Sequence, residues 1–204
     1  MKELQEDFWN KRYAAAEYVY GIAPNDFFKE HLDQLKPGSI LLPAEGEGRN
    51  AVYAALQGWK VTAFDISKNG GEKALQLSKK NNVSIDYKVT GVLDFKTDKQ
   101  FDVIGLSYAH FPTNIRKQAN EYLLIFFLKP KGTVIFEAFA KAQLGKASGG
   151  PKNQEMLFSI KEIKEEFSGL QFEILEQQTL QLDEGERHKG KAEVIRFLAQ
   201  KTND

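Results

Sequence analysis

Residues 39–65, SILLPAEGEGRNAVYAALQGWKVTAFD, leave a chain few ways to fold. Ile40, Leu41 and Leu42 form an apolar run that reads as a buried strand. The turn Ala44–Gly48 follows with two glycines, and then Arg49–Gln57 reads as a helix carrying Ala51, Val52, Ala55 and Leu56 on one face. Gly58 stops that helix, because glycine takes a positive φ without a Cβ clash. A second strand, Lys60–Phe64, delivers Asp65 at its carboxyl end. Strand, glycine turn, helix, strand and acid make up the nucleotide-binding half of an α/β sheet.

Gly46 and Gly48 are expected to let the main chain turn sharply and a ligand approach it. The helix starting near Arg49 offers unpaired N–H groups to negative or polar ligand atoms. Asp65 follows the turn by about 20 residues, the separation at which an acid meets ribose hydroxyls. Residues 46–51 also fit the dinucleotide fingerprint G-x-G-x-x-A, so the residues alone leave the ligand open. An α/β turn that binds nothing is the plain alternative.

Composition narrows the function classes. The 28 basic and 28 acidic residues balance to zero formal charge, which argues against nucleic acid or an anionic membrane as partner. The absence of cysteine removes disulfides, thiolate nucleophiles and cysteine metal sites. His31, His110 and His188 are not at helical or finger ligand spacing, so no metal site is expected. The opening residues are charged and lack an apolar signal core, and the longest apolar stretch, Tyr122–Leu128, is too short to span a bilayer. The expectation is a soluble cytoplasmic protein, monomer or homodimer, acting on a small molecule. The 204 residues read as one domain, 1–204, with residues 1–36 as an N-terminal helical cover.

Residues 1–20 read as a helix carrying Phe8, Trp9, Tyr13, Tyr18 and Tyr20. Asn25 is suited to cap a helix over Asp26–Leu35, which Lys36-Pro37-Gly38 breaks. Ser67 caps the next helix, whose first turn Gly70-Gly71 weakens. Val83–Val89 is a third strand, with Gly91-Val92-Leu93-Asp94 beyond its carboxyl end. Phe101–Leu106 is a fourth, central strand ending in the loop Ser107–Pro112.

Ligands of open α/β sheets bind beyond the carboxyl ends of the strands, so that last loop should face the reacting centre. His110 lies in it, and an imidazole of ordinary pKa about 6.5 suits proton removal. A histidine bonded only to the backbone is the alternative. Asn114–Leu128 reads as a helix, Lys129–Gly132 as a turn and Thr133–Phe139 as a fifth strand. The small-residue stretch Ala140–Pro151 reads as a mobile active-site loop, and Ser159 caps a helix running to Phe167. Phe172–Gln181 and Lys191–Ala199 flank residues 182–190 as a hairpin, adding an antiparallel strand to a mostly parallel sheet. Too few residues remain for the second βαβ half of a nicotinamide dehydrogenase.

The run ILLPAEGEGRNAVYAA resembles the first motif of class I S-adenosylmethionine-dependent methyltransferases. More narrowly it resembles the small bacterial tellurite-resistance and thiol methyltransferase-like group, in which Arg-Asn follows the glycine-rich turn. FWNKRY and YVYGIAPNDFF resemble that group's N-terminal region, and EGERHKGKA its E-G-x-x-H-x-G-x-A pattern. Two positions depart: Leu42 stands where many class I enzymes have an acid, and Ala44 replaces the first glycine of G-x-G-x-G. Glu45 is then the candidate for the displaced carboxylate.

The resemblance implies a Rossmann-like class I methyltransferase fold, a mostly parallel sheet with a C-terminal antiparallel hairpin strand. It implies S-adenosylmethionine as cofactor, held by Glu45, Gly46, Gly48, Asp65, Ile66, Leu93, Asp94 and Tyr108. His110 is the first candidate base and His188 the second; Trp9, Tyr20 and Glu184 fall on the acceptor side, with Arg12 and Asn25 in the cover. The implied reaction is in-line methyl transfer to a small acceptor such as a thiol or a chalcogen oxyanion. An NAD(P)-dependent oxidoreductase and a non-catalytic S-adenosylmethionine-binding protein are the alternatives.

Overall fold

In the computed structural model, which describes residues 2–202, the apolar runs become the strands of one seven-stranded sheet. The strands are β1 (Ser39–Pro43), β2 (Lys60–Asp65), β3 (Asp86–Val89), β4 (Phe101–Ser107), β5 (Leu128–Phe139), β6 (Leu170–Glu184) and β7 (His188–Lys201). Their order is β3-β2-β1-β4-β5-β7-β6, with β1 to β5 parallel and β7 antiparallel to both neighbours. This is the mostly parallel sheet with a C-terminal antiparallel hairpin that the resemblance implies. The order reverses between β1 and β4, which opens a crevice beyond their carboxyl ends.

Among the described residues six α-helices accompany the sheet: α1 (Lys2–Arg12), α2 (Asp26–Leu32), α3 (Arg49–Leu56), α4 (Lys68–Lys80), α5 (Arg116–Phe127) and α6 (Ile160–Glu166). Side chains alternate across β1: Leu41 joins a core with Phe64, Phe95, Ile104 and Phe136, whereas Ile40 and Leu42 join another with Phe28, Ala54 and Val103. A strand covered on both faces can be apolar at successive positions, as this one is from Ile40 to Pro43. Among the described residues no helix is long and apolar enough to cross a membrane.

Two expectations are corrected. The first helix ends at Arg12, not near residue 20. The Lys73 ammonium takes the Ala15 and Glu17 carbonyls, at 2.9 and 2.6 Å, so the segment after Arg12 is shaped by a tertiary contact and not by helix propensity. The supposed loop over residues 182–190 is mostly strand, pairing Leu182 with Gly190 and Glu184 with His188, so only residues 185–187 turn. Gly70-Gly71, in the first turn of α4, also make room for a close approach. A Cβ on Gly70 would lie 3.0 Å from the Gly46 carbonyl oxygen and from the Tyr13 ring.

Gly48 has a related role. Its φ is +86°, and a Cβ there would lie 2.5 Å from the Ala74 Cβ. Gly48 therefore lets α3 start close against α4, and its one open face is taken by protein. For Gly48→Ala, the left-handed backbone and the overlap together predict a loss of about 2–4 kcal/mol. Urea unfolding should show this as a lower midpoint with an unchanged slope.

Candidate functional site

Parallel pairing brings Pro43 level with Phe64, and the Glu45 N–H then donates to the Phe64 carbonyl at 3.1 Å. The glycine turn is thereby fixed beside the end of β2, where Asp65 stands 6% exposed. Asp65 Oδ2 accepts the Gly46 N–H at 3.1 Å, and Oδ1 accepts the Ser67 N–H at 2.8 Å. Burial pushes the Asp65 carboxyl up to about 6, against the lowering effect of these N–H groups and that of Ile66. Among the described residues no cation pairs with it. Among the described residues Asp65 is thus a buried carboxylate met by backbone N–H groups, with lone-pair capacity left beyond them.

Glu45 is turned the other way. Its Oε1 accepts the Ala51 N–H at 2.8 Å in the first turn of α3, and burial raises its carboxyl to about 7. Its geometry is that of a helix cap. Beyond β3, Leu93 is half-buried against the core, and Asp94 is exposed in a turn closed by its N–H on the Gly91 carbonyl at 3.0 Å.

The N-terminal segment lies over the glycine turn through Tyr13, a residue the sequence reading did not single out. A Cβ on Gly46 would lie 2.6 Å from the Tyr13 hydroxyl, and the Tyr13 ring stacks on Trp9 with centroids 5.4 Å apart. Glu47, between the two glycines, holds the segment down. Its Oε2 accepts the Val19 N–H at 2.8 Å, and its other oxygen pairs with the buried Lys73. Arg12 donates to the Tyr20 hydroxyl at 3.3 Å, so the cover is also tied to itself.

A second polar cluster lies beyond the ends of β4 and β5. Tyr108, at φ 54°, turns the chain out of β4 and donates its N–H to the Glu137 carbonyl at 2.7 Å. Glu137 is 1% exposed, and the β5–β7 register sets it opposite Arg196, whose Nε bonds its carboxylate. Glu184 accepts Arg49 Nη2 at 3.1 Å and lies 3.1 Å from His188 Nδ1. Burial would raise the Glu184 carboxyl, but His188 and the Arg49 guanidinium bring it down to about 2.

Burial pushes His188 below its ordinary pKa, and Glu184 opposes this. The rings of Tyr20, Tyr108 and Phe139 surround it at centroid distances of 4.5, 4.4 and 5.1 Å. Thus Tyr20, Tyr108, Glu184 and His188 are brought together, with Trp9 farther along the cover.

His110 does not fit the role of first candidate base. Nδ1 lies 2.9 Å from the Met156 carbonyl, and Nε2 accepts the Phe139 N–H at 3.3 Å. Burial pushes its pKa down to about 4, so the ring is neutral at neutral pH with the proton on Nδ1. Both nitrogens are committed to backbone, and the ring ties the loop after β4 to the segment before α6.

The stretch expected to be a mobile loop is also tied down. Gln143 Nε2 donates to Ser148 Oγ and the Gly149 carbonyl, both at 2.9 Å, while Gln143 Oε1 accepts the Glu193 N–H at 2.8 Å. Besides Tyr13, the residues missed from sequence are Glu47, Lys73, Arg49, Glu137 and Arg196. For Glu137 a signal existed: it is the one charged residue in the otherwise apolar run TVIFEAF.

The profile of the family described as tellurite resistance protein TehB matches residues 1–113. The ubiquinone biosynthesis O-methyltransferase of Rickettsia bellii (strain OSU 85-389) is 25% identical over 150 residues, covering 70% of this chain and 61% of the relative. The chain therefore spans about three-fifths of that relative's length. TehB from Haemophilus influenzae superposes with a TM-score of 0.74 at 17% identity, over 97% of this chain and 67% of that one. N-methyltransferase NodS from Bradyrhizobium japonicum WM9, in complex with S-adenosyl-l-homocysteine, gives 0.68 at 16% identity over 96% and 97%. These structural likenesses establish the Rossmann-like class I methyltransferase fold.

The latch formed by His110 predicts a pH dependence. Its pKa is depressed in the folded chain, so its stabilising share is complete above about 6.5 and is lost as pH falls through about 4. The wild type should lose about 3 kcal/mol more stability than His110→Gln between pH 7 and pH 4. Urea unfolding at a series of pH values checks this, and parallel curves for the two proteins would remove the latch.

Proposed function

Since the chain belongs to the TehB tellurite resistance protein family, we propose that it is an S-adenosylmethionine-dependent methyltransferase acting on a small acceptor. The observation that carries this reading is Asp65: a buried carboxylate at the end of β2, held against the Gly46 N–H, with lone pairs left for hydroxyl donors. A ribose diol supplies such donors, so the residues present fit the adenosine part of the cofactor. Gly46, Asp65 and the backbone near Ile66 would hold it, with Tyr13 packed over the turn. When bound, S-adenosylmethionine supplies an electrophilic methyl group on a sulfonium, which soft nucleophiles attack in line.

The chain's own share is orientation and exclusion of water. Tyr13 and Tyr20 cover the crevice, and Lys73 with Glu47 fastens the segment between them. A thiolate or a chalcogen oxyanion arrives already ionised, and the second of these agrees with the family's description as a tellurite resistance protein. His188 is favoured over His110 as the group that accepts a proton where one must leave. Its Nδ1 is oriented by Glu184, and no hydrogen-bond partner for Nε2 is found among the described residues.

That same pair favours a second reading, a hydroxyl acceptor, as in the ubiquinone O-methyltransferase relatives. A neutral hydroxyl must give up its proton as its oxygen bonds to the methyl carbon, and in this reading Nε2 takes it. The test is transfer of labelled methyl from S-adenosylmethionine to a small thiol, to tellurite and to a catechol. Transfer to at least one is expected. His188→Gln should lower transfer to the catechol by about 10²–10⁴-fold and transfer to the ionised acceptors by less than about tenfold. No transfer to any acceptor would leave a binding protein on this fold.

A further inference from the structure

Asn25 is 2% exposed, and its polar atoms are all engaged. Its backbone N–H donates to Asn50 Oδ1 at 2.9 Å, and its Oδ1 accepts the Phe28 N–H at 3.0 Å as the cap of α2. Its Nδ2 has two hydrogens and donates to two carboxylates, Glu137 Oε1 at 2.7 Å and Glu184 Oε1 at 3.1 Å. Capping needs only the side-chain oxygen. The amide nitrogen therefore has a separate task.

We infer that Asn25 is a positioning residue for the acceptor end: it bridges Glu137 and Glu184, and by holding Glu184 Oε1 it keeps Oε2 on His188 Nδ1. This rests on the reading of His188 as the proton acceptor. An ionised carboxylate only accepts hydrogen bonds, so two of them can lie this close only with donors between them. On Glu184, Asn25 serves one oxygen, and Arg49 and His188 serve the other. On Glu137, Asn25 serves one oxygen and Arg196 the other. Asn25 is the neutral member that joins the two halves, and through its cap it fixes them to α2.

The charged and titratable groups facing His188 are Glu184 from β6, Arg49 from α3, Glu137 from β5, Tyr108 after β4, Tyr20 from the cover, and His110. Removing the Asn25 donor leaves Glu184 less satisfied and a stronger attractor for a proton on His188. Replacing the donor with a carboxylate removes the same donor and sets a third acid beside Glu137 and Glu184, so the whole cluster attracts protons more strongly. Both changes favour the imidazolium, so both raise the His188 pKa.

The experiment is an NMR titration of the His188 imidazole in the full chain, for wild type, Asn25→Ser and Asn25→Asp. Ser and Asp cap helices about as well as Asn, so α2 keeps its cap in each variant. The expected result is an upward shift in both, larger for Asn25→Asp at about one pH unit or more. The pH profile of catechol methylation should move up by the same amount. His188 titrating at its wild-type position in the folded variants would reduce Asn25 to a helix cap.

Should neither variant fold, the wild type decides. Two slowly exchanging Asn25 side-chain amide protons support the bridge, and rapid exchange overturns it. Absence of methyl transfer in the wild type would count against the enzymatic reading alone, because the titration still decides the role of Asn25.

Discussion

Glu137 sets the terms for one end of this molecule. A carboxylate at 1% exposure in a central strand is tolerable only if it is paired, because an unpaired buried charge costs several kcal/mol. The β5–β7 register supplies Arg196 from directly opposite, and the cap of α2 supplies Asn25. Arg196 also lies over the Phe27 ring at 5.0 Å, so the side chain that satisfies Glu137 packs on the helix that carries the cap. Strand, hairpin and N-terminal helix are drawn to one point by the need to compensate one charge. Such clusters contribute little net stability but are strongly destabilising when one member is removed, so they specify geometry more than they stabilise it.

The glycine turn is governed by the same rule. Glu47 sits between its two glycines, and its charge is met by Lys73, which also collects two carbonyls from the N-terminal segment. Arg49 is the first residue of α3, two positions farther on. It reaches the other way, to Glu184 and to the Tyr20 carbonyl at 3.4 Å. Consecutive charged residues of one turn therefore anchor the cover on one side and the acceptor end on the other.

The sheet was legible in the sequence because buried parallel strands are apolar at every position and the glycine turn has fixed neighbours. Asp65 at the end of β2 and Ser67 as the cap of α4 follow from short-range pattern alone. What could not be read is what long-range charge pairing decides. The end of α1 at Arg12 depends on Lys73, about 60 residues away, and nothing local marks it. Gly46 and Gly48 have the look of ligand-approach glycines, yet protein packs against both, the Tyr13 hydroxyl in one case and Ala74 in the other. His110 lies in the loop after β4, but a residue's position in sequence does not tell whether its two nitrogens are already taken. Only the chain from Met156 and Phe139 closing around it reveals that.

The central claim is that the turn at Gly46 and the carboxylate of Asp65 form an S-adenosylmethionine site. Isothermal titration of the full chain with S-adenosylmethionine, S-adenosylhomocysteine and NAD(P), repeated with Asp65→Ala, tests it most directly. The account predicts saturable one-to-one binding of the first two, weakened in Asp65→Ala by about tenfold or more, as expected when hydrogen bonds to a charged group are lost. Binding of NAD(P) with no response to S-adenosylmethionine would contradict it and return the crevice to the dinucleotide reading that residues 46–51 also permit.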